Sequence, residues 1–122
     1  MKLLKSTTLA LCLSSLVGGS YAAAEHHFTG YDLPQNELVY IKGNIFSTRT
    51  LDCQVRSEST SGNTLKLVAL KHETIINGVI LPEGQTMTLK TSVGDHVFFE
   101  MEHNADLGAT NLDEGLVNLD CK

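Results

Sequence analysis

Tryptophan is absent from these 122 residues, proline occurs only twice and cysteine three times. So little proline, beside ten glycines, excludes a collagen-like or proline-rich chain. No apolar run approaches the ~20 residues that a membrane-spanning helix requires. The H-E-x-x-H, G-x-S-x-G and C-x-x-C patterns are all missing, as is a glycine loop able to cradle phosphate. Serines and histidines occur, but nothing ties a pair of them into a triad. Basic residues do not cluster with interleaved aromatics, so nucleic acid is not an expected partner. What is present is a globular composition, 42% apolar and 19% charged.

The first 24 residues follow the pattern of an export signal. Lys2 and Lys5 give a positive start, Thr7 to Val17 is uncharged and mostly apolar, and Ser20, Ala22 and Ala24 offer small residues to a signal peptidase. Cleavage is expected after Ala24, or after Ala22. Cys12 sits inside the apolar run, which argues against a lipid anchor at the cleavage point. The expected organisation is a signal peptide over 1–24, a flexible N-terminal arm over 25–37 and a folded domain over 38–122. Removing the signal takes two basic residues and no acidic ones, leaving seven against fourteen and a net charge of −7. Such a chain repels phosphate backbones and anionic membranes. It is expected in the periplasm or outside the cell, with no integral membrane segment once mature.

Cys53 and Cys121 then remain, in an oxidising compartment, and only one intramolecular pairing exists. Closing a loop of this length stabilises by about 4 kcal/mol at most in the chain-entropy picture, before any strain.

Beyond the arm the apolar period is two nearly everywhere, the mark of strands. Leu38 to Phe46 reads as a first strand. Leu51, Cys53 and Val55 alternate with polar residues, and Leu65 to Lys71 forms another strand after a Ser-Thr-Ser-Gly-Asn turn. Asn77-Gly78, between β-branched residues, calls for a two-residue type I′ hairpin, because both positions need positive φ. Val97, Phe99 and Met101 share one face of a strand, with His96, Phe98, Glu100 and Glu102 on the other. Leu107 to Leu112 reads as a short strand or a loop, and Leu116 to Cys121 closes the chain. Seven or eight short strands predict an all-β fold, a small antiparallel β-sandwich of immunoglobulin-like architecture. Its disulfide would then staple the two sheets together.

From Cys53 onward the chain runs Cys-x-Val, LKLVALK, Ile-Asn-Gly-Val-Ile-Leu-Pro-x-Gly, Met-Thr-Leu-Lys-x-x-x-Gly-Asp-x-Val and Val-x-Leu-x-Cys. This resembles small exported two-cysteine β proteins of Legionella- and Coxiella-type intracellular bacteria. The resemblance implies export, the disulfide and the sandwich. It carries over no catalytic residue and no activity.

Two groups of side chains are candidates for chemistry. Cleavage after Ala24 would leave the terminus Glu25-His26-His27, whose amine, amides and third-position imidazole suit square-planar Cu(II) or Ni(II). The second group is His96, Glu100, Glu102, His103 and Asp106, where a carboxylate pair could serve a small hydrolase and where the plainer reading is a solvated acidic face. The acidic stretch from Asp106 to Glu114 lacks the residue order of a calcium loop. No cofactor is expected. The leading expectation is a non-enzymatic exported protein that acts by protein–protein contact, with exposed strand edges able to pair with a partner chain.

Overall fold

The computed structural model describes residues 30–122, which form ten strands and, among the described residues, no helix. The expected all-β sandwich is what the chain builds. In chain order the strands are β1 (Gly30–Leu33), β2 (Leu38–Lys42), β3 (Arg49–Ser57), β4 (Asn63–Lys71), β5 (Thr74–Ile76), β6 (Val79–Leu81), β7 (Thr86–Thr91), β8 (His96–Met101), β9 (Asp106–Asn111) and β10 (Val117–Cys121). Four of them make one antiparallel sheet in the order β2-β9-β4-β7, and six make the other in the order β1-β10-β3-β8-β5-β6.

Alternation along each strand sends one set of side chains between the sheets. Leu65, Leu67 and Ala69 of β4 are fully buried there, as are Met101 of β8 and Leu107 of β9. Phe99, Val55 and Leu119 complete the centre of this core. The hairpin turns where expected: Asn77 has φ 51° and Gly78 φ 82°, both in the left-handed region. Asn77 also ties the turn to the next strand, since its Oδ1 accepts from the Phe98 amide at 2.9 Å.

Three expectations need correction. The Cys53–Cys121 disulfide forms, but within one sheet. The two cysteines are directly opposite on β3 and β10, flanked by Asp52 and Lys122, which exchange both backbone hydrogen bonds at 3.1 Å. Cys53 and Cys121 therefore occupy a non-hydrogen-bonded pair, where side chains come closest. The likeness to an immunoglobulin domain ends at two packed layers. Second, the folded part begins earlier than residue 38. Gly30–Leu33, inside the segment expected to be a flexible arm, pairs with β10 and buries Leu33 completely. Third, the strand expected from Leu38 to Phe46 stops at Lys42, because Gly43 leaves the ladder to donate to the Ala105 carbonyl at 2.7 Å. Ile45 and Phe46 then lie exposed in the following loop. The Leu107–Leu112 segment, open between strand and loop, is strand through Asn111, as part of β9.

One end of the sandwich is held by a buried polar cluster. Asn63 and Asn111 are both fully buried. Asn63 Nδ2 donates to Asn111 Oδ1 at 3.1 Å, while Asn111 Nδ2 donates to the carbonyls of Leu33 at 3.1 Å and Gly115 at 2.8 Å. Two side chains thus tie the backbone of β1 to the loop that precedes β10.

Candidate functional site

Strand alternation leaves each sheet with an outer face. On the six-stranded sheet the centre of that face is Phe98 of β8, half exposed, opposite Asp52 of β3. Along β8 it is flanked by His96 and Glu100, two residues away on either side. His96 Nδ1 lies 2.7 Å from Asp52 Oδ1, and its ring stacks on Phe98 with centroids 6.0 Å apart. Glu100 stands opposite Ile75 of β5, which in turn stands opposite exposed Ile80 of β6. A shallow depression of about 260 Å³ lies beside Phe98, between Asp52, Glu100, Thr50 and Lys122. Among the described residues this face carries Asp32, Asp52, Glu100 and Asp120 against Arg56 and Lys122.

The outer face of the four-stranded sheet differs in sign. Lys42, Lys66 and Lys90 point outward from three strands, and Asp106, 3.2 Å from Lys42, is the carboxylate among them. Its middle is apolar. Leu38 and Tyr40 of β2 are 46% and 54% exposed, and Leu70 of β4 is 41% exposed, with half-buried Val68 beside it. These side chains close over Gly108 of β9, which lies between β2 and β4. A Cβ there would stand 2.9 Å from Leu38 Cδ1 and 3.0 Å from Val68 Cγ1. The missing side chain lets side chains from β2 and β4 meet across β9. Threonines Thr64, Thr86, Thr88 and Thr110 complete the rim.

The five-residue group expected from sequence is divided by the fold. His96 and Glu100 share the six-stranded face. The chain leaves β8 after Met101, so Glu102 and His103 sit in a turn at one end of the sandwich. There Glu102 Oε1 lies 3.9 Å from His72 Nδ1, and the His72 and His103 rings are 6.0 Å apart. Asp106 belongs to the opposite sheet. Among the described residues no three His, Cys, Asp or Glu side chains form a group that could hold a metal ion. His26 and His27 lie outside the described residues. No helix of the described residues is long and apolar enough to cross a membrane.

Two features escaped the sequence reading. Asp52 is the partner of His96 across 44 residues of chain. The apolar patch on the four-stranded face had a visible signal: in LKLVALK the face opposite Leu65, Leu67 and Ala69 also carries Val68 and Leu70, more apolar area than a solvated face needs. No family model matches this chain, and no curated protein or solved structure matches it either.

Proposed function

We propose that this chain is an exported, non-enzymatic protein of the periplasm or the extracellular space that acts by protein–protein contact. Its contact surface is the outer face of the four-stranded sheet. The observation that carries this reading is the apolar patch of Leu38, Tyr40, Val68 and Leu70 over Gly108, ringed by lysines on a chain whose net charge is −5. An apolar centre with a polar rim is the anatomy of a protein interface. The sign of the rim selects the partner: a protein surface with its own apolar centre and carboxylates around it.

The edges contribute less than their exposure at the sequence level suggests. Among the described residues the edge strands β1, β2, β6 and β7 offer only 4, 5, 3 and 6 residues, and Pro82 follows β6 directly. Short edges of this kind resist pairing with another chain. The broad face is the larger target.

Site-specific photo-crosslinking in exporting cells tests the proposal. A photoreactive residue at position 40 is expected to give a defined protein adduct, and one at Ser59, on a loop, is expected to give none. Equal, diffuse labelling from both positions contradicts it, and recovery of the chain only from the cytoplasm contradicts export.

A further inference from the structure

The six-stranded face carries what the four-stranded face asks of a partner. Phe98, Ile75 and Ile80 give it an apolar part. Asp52 and Glu100 flank Phe98, and Asp32 and Asp120 lie further out. Among the described residues the charge counts are matched in size and opposite in sign: three lysines against one carboxylate on one face, four carboxylates against one arginine and one lysine on the other. Both faces carry a charge beside an apolar side chain. On the four-stranded face Lys66 is two residues from Val68 on β4, and on the six-stranded face Glu100 is two residues from Phe98 on β8. Each pair therefore sets a charge about 7 Å from an apolar side chain along a strand.

We propose that the partner is a second copy of this chain, its six-stranded face docked on the four-stranded face of the first. This rests on the contact-surface reading above and names the occupant. Like faces cannot substitute. Two four-stranded faces bring net positive charge against net positive, and two six-stranded faces bring net negative against net negative, which is repulsive in both cases. The contact is heterologous, so a pair keeps one free face of each kind and further copies add in the same sense. Layer upon layer, the faces pack at the ~10 Å spacing of stacked sheets.

Sedimentation velocity of the mature protein over a range of concentration and salt tests this, with Val68→Asp and Phe98→Asp. Both substitutions lie on outer faces and leave the core side chains in place. The wild-type chain is expected to sediment as monomer and larger species, with the larger ones growing with concentration and shrinking as salt screens the charges. Each variant alone is expected to be monomeric. Their equimolar mixture is expected to form dimers and nothing larger, because each supplies the face that the other lacks. Lys66→Glu, which keeps the apolar patch and suits a chain that tolerates Val68→Asp poorly, is expected to weaken association by about tenfold or more.

A wild-type chain that stays monomeric at every concentration overturns the inference. A Phe98→Asp chain that still dimerises overturns it too, since the four-stranded face would then be pairing with itself. In either case a defined adduct of a different protein from position 40 leaves the contact-surface reading standing, whereas no adduct at all removes both.

Discussion

Cys53 faces Cys121 across neighbouring strands of one sheet, with Cα atoms 3.9 Å apart. The bridge thus fastens β10 to β3, and through β10 it fastens β1. It does not hold the two layers together, which is left to the core between them.

Replacing both cysteines with alanine is therefore expected to lower stability by about 2–4 kcal/mol in urea unfolding. The loss has a place in the structure. Amide exchange is expected to rise most in β1 and β10 and least in β4 and β9, which belong to the other sheet. A uniform rise through both sheets would show that the bridge constrains the whole sandwich instead.

Asn111 is expected to be the most sensitive polar position. Its amide serves the carbonyls of Leu33 and Gly115 while its oxygen accepts from Asn63 and from the Asp113 amide at 3.1 Å. Asn111→Ala removes these partners at a fully buried position and is expected to cost about 2–4 kcal/mol. The urea midpoint reads this directly, and a loss below about 1 kcal/mol would mean that the segment re-forms its bonds without Asn111.

Thr74 presents the opposite case. It is fully buried, and its Oγ1 has no hydrogen-bond partner. Thr74→Val replaces the hydroxyl with a methyl group of nearly the same shape. The expected result is a gain of about 1 kcal/mol, seen as a higher thermal midpoint. A drop in the midpoint would show that the hydroxyl is satisfied in solution.

Strand identity was legible where its signal is local. Leu51, Cys53 and Val55 alternate in any register, and Asn77-Gly78 specifies its own turn. Pairing was not legible, because it is decided between segments far apart in the chain. Nothing around Cys53 says that its strand neighbours Cys121 rather than facing it across the core. Gly-Tyr-Asp-Leu at 30–33 lacks a clean alternation and becomes a strand only because β10 offers it a ladder. The same limit applied to the site. Glu100 and Glu102 share a parity, but the strand ends at Met101 and sends the second elsewhere. Asp52 and His96 meet only because β3 and β8 are neighbours.

Lysine footprinting reads whether the four-stranded face is covered when the protein is at work. Amine labelling of Lys66 and Lys90 is compared between the protein in its exporting cells and the dilute purified chain, each normalised to labelling of the denatured protein. Both lysines are expected to react several-fold more slowly in the cellular setting, where a partner surface shields them. Equal reactivity of Lys66 and Lys90 in the two settings would contradict such cover.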